Sequence, residues 1–596
     1  MGRCLLAFSI LTASPLVATA MEEISAAEVA RGPSPQRITT LVDEAATRGW
    51  GALVDPLHAA AMSAYESRPE EAQAWYFLYR WAALLGQPEG KALPTWIDAV
   101  NHAKAGHPNM SASYHASAGS LSALCSREWQ LYAVGSAAFS EEFFATFTSL
   151  DNPLETLRIL QTLYAADPAR FAEYQNLAIA IAVVYDVPPP PDWPHGQVSS
   201  AALPRRLPDP LETFNYWVKK DRTNVTAHRL RRLPANELKF VVDVVAPFTE
   251  LDWAQRNVSP PLGDFAQAYS LVKYRKDRLE KNQFAWPLPH YDLPTILAQG
   301  GICVDQAYFA AMAGKARGIP TLLFRGAGLD GRHAWFGFLS PNGWVLDAGR
   351  YAEQKFVAGL AYDPQTWTNI SDHELLFLTE RFRALPGYKV SLMHTAFATE
   401  FLRGGQPAAA IKAAREAVNR ERRHHQAWEV LLKATLASGA DARSAEGVMR
   451  EAAMALQRYP ELEVSFTRRL VASLRSRGET SAAAAAEQHL AVKYRDNRSD
   501  LTYAEAAEMM QRSIAQDDLS TRIRVFNKML DAYGRGAGVD FYDKVVTPFI
   551  EHLREQGQVP VALQTLDRAR RTLRVEKGSQ LEQEFDALVT RLKRGG

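Results

Sequence analysis

Apolar residues recur at three- and four-residue spacing along most of this chain, so helix dominates the reading. From residue 21 to about 186 the pattern predicts helices over 38–46, 56–67, 70–85, 94–105, 121–136, 141–149, 153–165 and 168–184, with Pro and Gly as breakers between them. Asn152-Pro153 and Asp167-Pro168 each set a capping side chain before a proline at the first helical position. Helices paired in this way point to an α-solenoid or an irregular bundle.

The pattern breaks at residues 187–210. Pro188-Pro189-Pro190-Pro191 and Trp193-Pro194 favour extended polyproline geometry and read as a linker. Residues 240–245, FVVDVV, are β-branched but lie among helix formers, and the reading there is helix. Residues 259–286 should form a helix and an ordered loop.

A different pattern fills residues 300–351, GGICVDQAYFAAMAGKARGIPTLLFRGAGLDGRHAWFGFLSPNGWVLDAGRY. Cys303 follows a Gly-Gly pair and opens an alanine-rich helical run. Gly-Ile-Pro breaks it, and three short strands follow. The chain turns helical again at about Asp372, and from Ser391 onward helix pairs recur. MHTAFATEFLRGGQPAAAIKAAREAV places Ala396 and Leu402 before a Gly-Gly turn, then Ala410, Ala413 and Ala417. Trp428, Leu431, Leu432 and Gly439 follow in the next unit, which ends at Pro460. Further pairs are expected at 461–494, 501–534 and 538–575. This series resembles tetratricopeptide repeats in degenerate form, and stacking of that kind would offer a surface to a protein partner.

Cys303, His333 and Asp347 each stand at the end of an expected element. A thiol at a helix N-terminus meets unpaired amides and the positive end of the dipole, which favour thiolate. Its own N–H can help bind an oxyanion. A lone cysteine on an alanine-rich helix, or a lone histidine on a strand, is by itself an ordinary structural residue. Together with an aspartate they make a nucleophile, a base and an orienting acid. His333 and Asp347 differ by an even number of positions, which in an unbroken hairpin puts both on one face. A turn centred on Ser340 sets them opposite each other; a turn at Pro341-Asn342-Gly343 offsets them. The sequence leaves both registers open.

Residues 260–355 resemble the transglutaminase-like cysteine superfamily: GGICVDQAYFAAMAGKARGIPTLLFRG, HAWFGF and GWVLDAG carry its Gly-x-Cys helix start, Gly-Ile-Pro, His-Ala-Trp and Gly-Trp…Asp features. The resemblance implies an α+β core of the papain-like kind, a Cys-bearing helix on an antiparallel sheet, embedded in a mostly all-α chain with helical-repeat α-solenoid arms on both sides. It also implies Cys303 as nucleophile, His333 as base and Asp347 as orienting acid, acting on amide or peptide bonds of a protein or peptide. Val304, and Ala348 in place of the usual Pro, depart from the pattern. Gln299 and Trp286 are the candidate oxyanion side chains; Asp305, Gln306, His290 and Asp292 are read as structural or rim groups.

Composition narrows this further. Arg3, an apolar run over residues 5–17 and Ala18-Thr19-Ala20 form a signal-peptide pattern, so residues 1–20 are expected to be removed and the protein exported, periplasmic or secreted. That removal leaves 66 basic residues against 66 acidic ones, which argues against a nucleic-acid partner. No stretch is long and apolar enough for an integral membrane segment. Of the three cysteines, Cys4 leaves with the signal. Cys125 reads as a small core residue, and both remaining thiols are expected to be free, because a Cys125–Cys303 bridge would silence the nucleophile. No metal or cofactor signature is present, and His424-His425 read as a solvated helix face. The expected organisation is an N-terminal helical domain at 21–186, the linker at 187–210, the transglutaminase-like domain at 211–370 and helical repeats at 371–596. A catalytically inactive repeat scaffold is the alternative.

Overall fold

The computed structural model describes residues 23–103, 119–350, 358–494, 498–535 and 537–594. The expected signal peptide lies outside them. The chain divides into two compact units, one from Met1–Pro88 with Ala118–Ser140 and the other from Glu89–Ser117 with Glu141–Gly596. Among the described residues it is mostly helical, with one small antiparallel sheet. Among the described residues no helix is long and apolar enough to cross a membrane.

The first unit is built from helices Pro35–Arg48, Val54–Ser67, Pro69–Leu85 and Arg127–Gly135. Ser34 and Ser126 cap two of them through side-chain oxygens. Trp50, Trp75, Trp81 and Trp129 are fully buried, and Trp81 meets Trp129 edge-on while lying parallel to Phe139. Cys125 is buried, and it and Cys303 are both free thiols.

In the second unit Asn152 and Asp167 cap their helices as the sequence predicts. The expected helix over 168–184 is broken at Tyr174 into Pro168–Glu173 and Gln175–Tyr185. The latter is apolar on every side and is buried almost throughout. The Pro-rich stretch is not a loose tether: Trp193, His195, Val198 and Leu203 are buried, and the Gln197 carbonyl accepts from the Trp286 amide. Residues 235–242 form the helix expected near 240, which ends at Asp243.

The sheet has five strands, β1 (Thr321–Ala327), β2 (Arg332–Ser340), β3 (Gly343–Ala348), β4 (Leu360–Tyr362) and β5 (Asn369–Ser371), in the order β3-β2-β1-β4-β5. The helix Cys303–Ala316 packs on one face of β1 and β2. Every residue from Val304 to Ala316 is buried, so this helix has no solvent side. Its small residues permit the close approach; a Cβ on Gly314 would stand 2.5 Å from the Thr321 side chain. The other sheet face buries Leu322, Phe324 and Trp335 against Phe240, Ala361, Ile370 and Leu375.

From Pro386–Arg403 to Ser499–Gln516 each helix packs on the next in sequence. Ala410, Ala413 and Ala417 are buried as expected. His424 is not on a solvated face: it is 2% exposed, its Nδ1 lies 2.7 Å from the Ser391 hydroxyl and its ring meets Tyr388. The chain closes with a further helix, Gln580–Arg594, beyond the last predicted pair.

Candidate active site

Cys303 is the first residue of its helix. Two glycines make the turn that presents it. Gly300 adopts φ +74, and a Cβ there would collide with the Lys273 carbonyl. A Cβ on Gly301 would collide with the Asp305 side chain. The turn is stitched to the preceding segment by Gly301 N–H to the Lys273 carbonyl (2.9 Å) and Arg275 N–H to the Gly301 carbonyl (2.8 Å).

Asp305 closes the helix start by accepting from the Ile302 amide at 2.8 Å. It is held from behind by Arg278 at 2.7 Å and by the Tyr291 hydroxyl at 3.0 Å. His195 Nδ1 accepts from the Gln197 amide, so its Nε2 carries the proton and donates to Tyr291, 2.9 Å away. Histidine, tyrosine, carboxylate and guanidinium thus form a buried chain that fixes where the helix begins. Gln306 donates to the Val272 carbonyl, and Asp292 caps the helix Leu293–Gln299.

His333 lies on β2 opposite Gly326 and is 6% exposed. Its Nε2 is 2.7 Å from the Gly349 carbonyl oxygen. A carbonyl only accepts, so in the neutral ring Nε2 carries the proton and Nδ1 the lone pair. The Tyr269 hydroxyl meets both the helix start at Cys303 and β2. It donates to the Ala334 carbonyl at 2.8 Å and lies 3.4 Å from both His333 Nε2 and the Cys303 carbonyl oxygen. Gly349 packs directly on the Tyr269 ring, where a Cβ would stand 2.5 Å from ring carbon, and it has φ +88. Only glycine brings the 349 carbonyl to the imidazole at this spacing.

Asp347 does not reach His333. The hairpin turns at Pro341-Asn342, with Ser340 paired to Gly343, and β3 then bulges: Val345 and Ala348 pair with Phe338 and Phe336, so Leu346 and Asp347 both face Gly337. The two-residue turn already removes the even register on which the same-face expectation rested, and the bulge leaves Asp347 opposite Gly337, four residues along β2 from His333. Asp347 is exposed, and among the described residues no hydrogen bond or ion pair joins it to His333. The orienting acceptor is a backbone carbonyl, two residues further along.

The expected oxyanion side chains are placed elsewhere. The Trp286 indole donates to the His290 carbonyl at 2.8 Å, and Gln299 is exposed at the end of its helix. Backbone amides serve the sulfur instead. Burial pushes the Cys303 thiol up to about 11, opposed by hydrogen bonding from the backbone of Ala334, Val304 and Cys303 itself, while the Asp305 charge adds to the rise. Burial also lowers the His333 pKa below its usual value, against the Gly349 bond. The favoured resting pair is therefore neutral thiol and neutral imidazole, not the ion pair that a helix dipole alone would predict.

Sequence reasoning missed Tyr269, Gly349 and the bulge. Tyr269 is 34 residues before Cys303, and the group that Gly349 contributes is backbone. No family model matches the chain, and no curated protein matches it significantly.

Proposed function

We propose that this chain is an exported cysteine enzyme of the transglutaminase-like class that hydrolyses amide or peptide bonds. The supporting observation is the shared position of the Tyr269 hydroxyl, within 3.4 Å of both the Cys303 carbonyl and His333 Nε2. One hydroxyl thus meets the backbone of Cys303, at a helix start, and the ring of His333, whose bond to Gly349 leaves Nδ1 as the basic atom.

Cys303 Sγ attacks the carbonyl carbon as the thiol proton passes to His333. Backbone amides at the helix start stabilise the oxyanion. The imidazolium returns the proton to the leaving amine, giving a thioester. Water, deprotonated by His333, then cleaves the thioester and restores the thiol. Because thiol and imidazole both rest neutral, proton transfer accompanies attack, and general base assistance contributes about 10²–10⁴-fold. The C-terminal helices, read as tetratricopeptide-like α-solenoid arms, would hold a protein substrate or partner.

A second reading is favoured by the exposure of Asp347 and the raised thiol: an inactive core within a repeat scaffold. Incubation with a mixed library of peptide amides, followed by intact mass of the protein after acid quench, separates the two. The enzyme reading predicts acyl adducts on Cys303 that vanish in Cys303→Ala and build up in less than stoichiometric amount as turnover proceeds. Equal product formation by wild type and Cys303→Ala would rule it out.

A further inference from the structure

The loop before His333 is glycine-rich: Gly326, Gly328 and Gly331 lie within the six residues from 326 to 331. Such a loop has unusually large conformational entropy to lose, and the single turn bond from Gly328 N–H to the Gly331 carbonyl does little to hold it. Its order comes from the far end of the chain. The Val539 amide donates to the Gly328 carbonyl at 3.0 Å, and the Leu581 amide donates to the Asp330 carbonyl at 3.0 Å. The Arg332 amide donates to Gln580 Oε1 at 2.9 Å. The Arg332 guanidinium pairs with Asp543 at 2.6 Å and with Glu584. Gly538 rests so closely on Gly328 and Leu329 that it has no room for a Cβ. Ala327, the last residue of β1, packs on the apolar cluster that contains Val539, Phe541 and Phe585.

We propose that the C-terminal helices, from Val539 to Arg594, are a clasp that sets the position of His333, with Arg332 the positioning residue at its centre. Three features carry this. The contacts converge from several separate elements, the segment around Val539, the π-turn at Tyr542–Val546 and the helix Gln580–Arg594, on one short loop. Two of them are backbone to backbone, so they fix the loop's path and not only its side chains. The loop leads directly into the imidazole-bearing residue. Arg332 and Asp543 are each 41% exposed, so the ionic part of the clasp is screened by salt while the backbone bonds are not. Arg332 acts through His333 and touches no reacting atom.

The clasp rests on the proposed function only in the role given to His333, so its test reads the loop and the ring, not catalysis. Hydrogen exchange by mass spectrometry would follow residues 326–340 in the full chain, in wild type, Arg332→Ala, Arg332→Lys, Asp543→Asn/Glu584→Gln and the combined variant. The labelled His333 Cε1–H resonance would be recorded in each. The clasp predicts exchange about tenfold faster at 328–334 in Arg332→Ala and in the acid-side variant, with no further gain on combining them. It predicts the same displaced His333 resonance in both, partial recovery in Arg332→Lys, and unchanged exchange in the helices 386–420. Unchanged exchange at 328–334, or faster exchange with an unmoved His333 resonance, would overturn it. An alkylation rate at Cys303 indifferent to His333 would count against the proposed function alone and leave this result standing.

Discussion

His333 Nε2 lies 2.7 Å from the carbonyl oxygen of Gly349. That one bond selects the tautomer, turns Nδ1 into the basic atom and does so without placing a negative charge beside the ring. A carboxylate in the same place would favour imidazolium; a carbonyl favours it far less. Under the proposed function, this arrangement would move a proton during reaction and not store a thiolate beforehand.

Asp347→Asn is expected to change little. The side chain is exposed, and no bond to His333 is recorded among the described residues. Alkylation of Cys303 by iodoacetamide should stay within about twofold of wild type, and stability within about 0.5 kcal/mol. A tenfold fall in rate would restore the carboxylate to the orienting role.

Tyr269→Phe should matter more. It removes the donor to the Ala334 carbonyl and the contact with His333 Nε2 while keeping the ring on Gly349 and Phe336. The expected loss is about 1 kcal/mol in urea unfolding, with slower alkylation of Cys303. Wild-type stability and reactivity in this variant would show the hydroxyl to be a bystander.

Arg278→Ala should damage the helix start from behind. The Arg278–Asp305 side chains are only 3% and 2% exposed, so the variant leaves a carboxylate buried without its cation. The expected cost is about 3–5 kcal/mol, read by urea unfolding. Replacing both partners, Arg278→Met with Asp305→Asn, should recover part of it. A double variant as unstable as the single one would contradict the burial argument.

Stability should also depend on pH through Asp151. Burial pushes its carboxyl up to about 7, against hydrogen bonds from Thr148 and Gln365, and Asp186 nearby is raised as well. The folded state then holds protons that the unfolded chain has released, so this pair stabilises at low pH and its contribution is lost as pH rises from about 4 to about 7. Urea unfolding at pH 5 and pH 7.5 should show a smaller difference in Asp151→Asn than in wild type. An identical difference in both would remove Asp151 from the account.

Local chemistry explains which parts were legible in the sequence. Asn152 and Asp167 announce their helices because a cap is a contact within three residues. Gly300-Gly301 before Cys303 announces a tight turn for the same reason. The bulge at Leu346–Asp347 was hidden because alternation is a rule of the unbroken ladder, and nothing in GWVLDAG marks where it breaks. Strands β4 and β5, of three residues each, are too short to show a period. His424 was misplaced because its burial depends on Ser391 and Tyr388 on a neighbouring helix. Arg332, before the fold is known, is one more charged residue in a loop; its partners lie 211 and 252 positions away.

The most direct test of the central claim is the alkylation rate of Cys303 against pH, in wild type and His333→Ala, with Cys125 as internal reference. Burial pushes the thiol of Cys303 up to about 11 and that of Cys125 up to about 12. The account predicts two phases in wild type. One is a plateau reached below the usual histidine pKa of about 6.5, because burial keeps His333 neutral there; the other is a rise toward pH 11 as thiolate forms. His333→Ala should abolish the plateau and keep the rise. A single rise near pH 11 in both proteins, tracking Cys125, would mean that His333 gives Cys303 no assistance and that the core is structural.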